Sequence, residues 1–176
     1  MKNYKISIVM GSDSDLKTMK PAIDVIEEFG IETDVSILSA HRTPLEMMEY
    51  AKKAEENNIK VIIAGAGGSA HLPGMVASLT HIPVIGVPVE SKTLKGIDSL
   101  LSIVQMPAGI PVATVAINGS KNAGILAIEI ISLFDEKINK KLKTYRENTR
   151  ESVRIKNDKL NKFGVKKYFD NYKSTN

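Results

Sequence analysis

Cysteine and tryptophan are both absent from the 176 residues, and histidine occurs only at His41, His71 and His81. Without thiols there is no disulfide framework, no thiolate nucleophile, no iron–sulfur cluster and no cysteine-ligated zinc. Three scattered histidines offer little to a histidine-rich metal centre, so no metal is expected. Long apolar runs are lacking too. The first, Ile6–Met10, stops at Gly11; it is too short for a signal-peptide core, and no stretch is long enough to span a bilayer. The expectation is a cytoplasmic protein with no membrane partner. Glycine and proline are missing from one end only: all seven prolines and 11 of the 12 glycines precede residue 136.

Charge divides at the same point. Residues 136–176 carry 13 basic and five acidic side chains, a net of +8, whereas residues 1–135 carry 11 basic and 15 acidic, a net of −4. The overall +4 therefore describes a tail rather than a body. The division predicts one compact, mildly acidic domain over 1–135 and a basic helical C-terminal extension over 136–176, in which Ile138, Leu142, Tyr145 and Thr149 keep helical spacing across 136–150. Basic residues mixed with acids and lacking a recognisable module read as a solvated or assembly-forming helix, not a nucleic-acid arm.

Within the body, strand-like and helix-like runs alternate. Ile6–Met10, Val35–Leu38, Val61–Ala64, Val84–Val87 and Val112–Ile117 read as strands. Leu16, Met19, Ile23, Ile26 and Phe29 form a helical stripe ending at Gly30, with Pro21 inside it. Thr43-Pro44-Leu45-Glu46 has the form of a capping box opening a second helix. Further helices are expected around Met75–Leu79, over Ile97–Val104 and over Asn122–Phe134. This alternation predicts a central parallel sheet with helices on both faces, a three-layer αβα sandwich of flavodoxin-like or Rossmann-like type.

Ligands bind such sheets outside the carboxyl ends of the strands. Three loops there carry the candidate chemistry. Gly11-Ser12-Asp13-Ser14-Asp15 offers hydroxyls, a carboxylate and free N–H groups suited to a phosphate and a ribose diol, though Ser and Asp also favour helix N-caps for purely structural reasons. Ser39-Ala40-His41-Arg42-Thr43-Pro44 places a proton-transfer group beside a guanidinium that can grip phosphate. Gly65-Ala66-Gly67-Gly68-Ser69-Ala70-His71 matches Gly-x-Gly-x-x-Ala, with Glu90 about 20 residues on, which also suits a dinucleotide or flavin module. That rival leaves Ser12, Asp15, His41 and Arg42 unexplained. His71 reads as a positioning residue and His81, at a strand entry, as structural.

Four ordered segments sharpen the reading: Met10–Asp15, Ser39–Pro44, Gly65–Met75 and Ser102–Ile117. Together they closely resemble the family of phosphoribosylaminoimidazole carboxylase catalytic subunits, whose bacterial members are 5-(carboxyamino)imidazole ribonucleotide mutases of purine biosynthesis. The resemblance covers roughly residues 4–135. It implies a flavodoxin-like fold, a homo-octamer, a small ribonucleotide substrate, and movement of a carboxylate from the exocyclic nitrogen to ring carbon C4 without metal, ATP or organic cofactor. It further implies that His41 handles the C4 proton, that Ser12, Asp15 and Arg42 bind substrate, and that Ser14 and Ser39 help Arg42 hold the phosphate. Gly67, Gly68, Ser69, Ala70, His71 and Leu72 would line the pocket for the base and the trapped carbon dioxide. Direct carboxylation of aminoimidazole ribonucleotide is the alternative within the family. Ser69, Glu90 and a connection at 118–121 about two residues short depart from the family's usual pattern.

Overall fold

The computed structural model describes residues 4–173. Five parallel strands, β1 (Lys5–Met10), β2 (Glu32–Ile37), β3 (Ile59–Gly67), β4 (Val84–Val89) and β5 (Ala113–Thr114), lie in the order β2-β1-β3-β4-β5. Helices α1 (Leu16–Glu28), α2 (Pro44–Lys53), α3 (Leu72–Ala77), α4 (Ile97–Val104) and α5 (Ser120–Ser132) connect or follow them, and a 3-10 turn at Asp13–Asp15 precedes α1. This is the doubly wound flavodoxin-like order, which reverses direction between β1 and β3.

The period-two alternation of the strands divides the core. Val9, Ile62, Ala64 and Ala66 pack with Met47 and Ala51 of α2, Leu72 and Val76 of α3 and Ile103 of α4. Residues of opposite parity meet the other layer, where α1 and α5 approach so closely that a Cβ on Gly124 would lie 2.6 Å from Val25 and 3.2 Å from the Ala22 Cα. One buried polar group ties three elements. Tyr50 of α2 donates its O–H to Asp34 of β2 at 2.5 Å and lies 2.7 Å from the hydroxyl of Ser7 in β1, which is wholly buried. Burial, then the Asp34 hydrogen bond, pushes the Tyr50 phenol well above its ordinary range.

Several boundaries differ from the sequence expectation. β3 runs on through Gly67, because Gly65 pairs with Met10 and Gly67 with Val89. At Gly65 the missing Cβ makes room for the Met19 side chain of α1, so this glycine is a packing residue inside a strand. The capping box does not form. The Thr43 hydroxyl instead accepts the Ser39 N–H at 3.0 Å and lies 3.2 Å from the Ser39 carbonyl, bracing the preceding loop. Only Ala113 and Thr114 of the expected fifth strand pair regularly with β4. Gly86 and Pro88 turn their backbone groups towards that edge, accepting from Val115 and Asn118, and Pro88 has no N–H to return.

By internal contacts the chain divides into two units, Met1–Phe134 and Asp135–Asn176. The second contains α6 (Glu136–Lys173), opened by Asp135, whose carboxylate accepts the N–H groups of Lys137 and Ile138, and interrupted at Gly164 (φ 72°, ψ 161°). Its helix covers 136–150, where the apolar spacing was read, and continues to Lys173 within the extension expected over 136–176. Along it Glu147 bonds Arg150 and Arg154 at 3.1 and 3.5 Å.

Candidate active site

At the carboxyl edge of the sheet, the loops after β1, β2, β3 and β4 enclose a recess of about 430 Å³. It lies at the reversal of strand order, where a doubly wound sheet opens between its two halves. Ser12, Ser14 and Asp15 line it from the first loop, Ser39, His41 and Arg42 from the second, and Gly67, Gly68, Ser69, His71 and Leu72 from the third.

The first loop is held by its own side chains. Ser12, in extended conformation (φ −155°), accepts the Ser14 N–H at 3.3 Å, and the Ser14 hydroxyl reaches Ser12 Oγ at 3.0 Å and Asp15 Oδ1 at 3.4 Å. Asp15 is only 9% exposed. Burial raises its carboxyl above the ordinary range, and the Ser14 hydroxyl and Ser12 backbone offset this only in part.

The second loop aims Arg42 across the first. Its Nη2 donates to the Gly11 carbonyl at 3.1 Å and its Nε to Ser39 Oγ at 3.3 Å, while the Arg42 N–H donates to the same hydroxyl at 3.1 Å. None of the salt bridges among the described residues involves Arg42. A guanidinium fixed by neutral acceptors in a recess, beside the hydroxyls of Ser12 and Ser14, has the chemistry to receive an oxyanion such as phosphate.

The two expected site histidines meet. His41 Nε2 lies 2.7 Å from His71 Nδ1, with ring planes 83° apart. One nitrogen must donate and the other accept, so the pair shares a proton between loops that follow different strands. His71 opens α3, and Gly68 before it takes a left-handed conformation (φ 68°) that turns the chain over the recess.

Ala70 does not join the lining; it is 1% exposed and packs into the core beneath the loop. Gly11, Ala40 and Ala66 of the same three loops, together with Val89, Glu90 and Ser91, also line the recess without having been named as site residues. Val89 ends β4 and Glu90 and Ser91 follow it, so the strand-end rule that marked the other loops also marks this one. Glu90 does not stand as a lone ribose-binding acid: its N–H donates to Asn118 Oδ1 at 2.9 Å, its Oε2 accepts from Asn118 Nδ2 at 3.2 Å, and Lys95 lies at 3.8 Å. With Gly65 and Gly67 inside a strand and α3 only six residues long, the Gly-x-Gly-x-x-Ala match lacks the tight turn and long helix of a dinucleotide fingerprint. His81 is exposed near the entry of β4, at the opposite sheet edge.

The fold and recess define a flavodoxin-like α/β protein with an arginine- and histidine-bearing pocket at the switch point of its sheet. The family model described as AIR carboxylase matches residues 5–152. An N5-carboxyaminoimidazole ribonucleotide mutase of Thermotoga maritima is 59% identical, over 94% of this chain and 97% of that one. Another protein of that name, from Bacillus subtilis, is 57% identical over 88% of this chain and 97% of its own. Among solved structures, that of Treponema denticola PurE superposes with a TM-score of 0.81 at 32% identity, covering 89% of this chain and 98% of that one. The chain belongs to the AIR carboxylase family.

Proposed function

We propose that the protein interconverts 5-(carboxyamino)imidazole ribonucleotide and 4-carboxy-5-aminoimidazole ribonucleotide in purine biosynthesis. The observation that carries this reading is the convergence, in one recess, of an Arg42 that forms no salt bridge with described residues, the His41–His71 pair and the Gly67–Gly68 turn. The mutases of Thermotoga maritima and Bacillus subtilis, similar over nearly their whole length, support it.

In the proposed course, Arg42 with Ser12, Ser14 and Ser39 holds the substrate phosphate, and Asp15 takes the ribose hydroxyls. The bond between the exocyclic nitrogen and the carboxyl carbon breaks, releasing carbon dioxide, and the electron pair left on nitrogen takes a proton from His41 to give the amino group. Ring carbon C4 then attacks the same carbon dioxide, forming the new C–C bond. His41 removes the C4 proton, and aromaticity returns. In the reverse direction His41 delivers that proton to C4. Two demands follow: carbon dioxide must stay beside C4, which makes its capture nearly intramolecular, and N–H donors must face a carboxylate in both end states. Backbone without a Cβ at Gly67 and Gly68 suits both. Residues 1–135 would supply the catalytic domain, and the chains would assemble into a homo-octamer. The reaction as written balances without ATP, metal or organic cofactor, and purine synthesis suits a cytoplasmic location.

The test is conversion of the carboxyamino substrate by the purified protein without ATP, followed chromatographically. Formation of the C4 carboxylate is the expected result. No turnover, or turnover only with ATP, refutes the reading; turnover of aminoimidazole ribonucleotide that depends on added bicarbonate points to direct carboxylation instead.

A further inference from the structure

The glycine loop at the recess is held from behind by a residue that does not itself line the recess. Ser99, in the first turn of α4, is wholly buried. Its hydroxyl donates to the Val89 carbonyl at 2.6 Å and accepts the Gly68 N–H at 2.8 Å. The β3–β4 ladder ends at the pair Gly67–Val89, so Gly68 is the first residue beyond it. The Ser99 hydroxyl sits where the next rung would be and bridges the two strands after their backbones diverge. One donor and one acceptor are both used, which leaves the hydroxyl a single orientation.

This bridge decides which amides the loop can offer. The Gly68 N–H goes to Ser99, the Ala70 N–H to the Gly68 carbonyl at 2.8 Å and the His71 N–H to the Ser69 carbonyl at 2.8 Å. Among the described residues the Ser69 N–H has no partner, and it is the loop donor left for a carboxylate. Gly68 itself is left-handed, with open space where a Cβ would lie, and its N–H is held by Ser99. Ser102, one turn along α4, approaches the Gly68 carbonyl at 3.3 Å, but its single proton lies closer to the Asp98 carbonyl at 2.7 Å. Ser99 is therefore the main tether from α4.

We propose that Ser99 is a positioning residue for the carboxylate transfer. It fixes Gly68 so that the loop keeps carbon dioxide beside C4, and its loss uncouples decarboxylation from recapture. The inference rests on the mutase reading above. It concerns retention of the intermediate rather than substrate binding, so Ser99→Ala should lower kcat about 10-fold with KM within about twofold. The decisive readout is partition: free aminoimidazole ribonucleotide formed per C4 carboxylate, corrected for the rate without protein, should rise at least severalfold. A structural defect alone would lower the active fraction without changing that ratio.

The experiment uses the full chain, with folding checked by circular dichroism. Ser99→Thr, which keeps the hydroxyl, should restore wild-type partition; Ser99→Cys, which fills the space with a poor hydrogen-bonding group, should behave as Ser99→Ala and replaces it if the alanine variant does not fold. Wild-type partition in a folded Ala or Cys variant overturns the proposal, as does uncoupling of equal size in the Thr variant. Failure of all three to fold assigns Ser99 to packing alone and also overturns it. A wild-type protein that does not convert the carboxyamino substrate refutes the functional reading itself, whereas a coupled wild type with an equally coupled Ser99→Ala refutes only this inference.

Discussion

Asp15 illustrates a side chain whose placement opposes stability. Burial raises its carboxyl above the ordinary range. A carboxyl with a folded pKa above its unfolded value withholds stability where it is ionised and returns it as the pH falls through the folded value. Asp15→Asn should therefore raise the melting temperature by about 1–3 °C at pH 8, a gain that closes on acidification, while kcat/KM falls at least ~10-fold. Calorimetry across pH with parallel kinetics checks both signs. Arg42→Ala, by removing the fork that reaches Gly11 and Ser39, should raise KM ~10–100-fold with kcat much less affected. His41→Asn should leave melting within about 2 °C and lower kcat ~10²–10⁴-fold, as loss of a proton-transfer group does. The types of these residues and their places at strand ends were legible in the sequence. The His41–His71 contact was not, because it joins loops 30 residues apart. Ala70 shows the converse: a motif can span a site while one of its members faces the core.

Among elements, the tie between α2 and the β1–β2 edge stands out because it is polar. Ser7 is wholly buried in β1 with its hydroxyl against Tyr50, which also reaches Asp34 and Ser36 of β2. Tyr50→Phe leaves the ring in place but orphans the partly buried carboxylate and hydroxyl, at a cost of about 1–3 kcal/mol. Melting should fall ~3–10 °C with KM unchanged, since none of these residues lines the recess. A melting point within 1 °C of wild type would show that solvent replaces the bond. The helices and four of the strands were readable because apolar spacing decides which face is buried. Errors gathered where one residue type serves two purposes. Glycine usually breaks strands, yet Gly65 and Gly67 extend β3, and Thr43, a good cap by composition, spends its hydroxyl on Ser39. Such choices depend on partners distant in sequence, which local propensity does not contain.

For the whole molecule, the proposed octamer of 19.2 kDa chains should sediment near 154 kDa. Two forces could hold it, and the surface separates them. Charge would act through the +8 of residues 136–176 and the −4 of residues 1–135. Apolar contact would act through the outer side of α4 and the turn before it, where Leu94, Ile97, Leu101 and Val104 are each about half exposed. Four large apolar side chains in eleven residues are more than an isolated surface normally leaves uncovered. At 1 M salt the screening length falls to ~3 Å, so an ionic assembly would come apart while an apolar one would hold. Analytical ultracentrifugation should therefore show the ~154 kDa species persisting in 1 M sodium chloride and Leu101→Glu shifting it to smaller forms, because a charge placed in an apolar contact must be desolvated without a partner. Dissociation by salt with Leu101→Glu intact would reverse the assignment and return the basic extension to the centre of assembly.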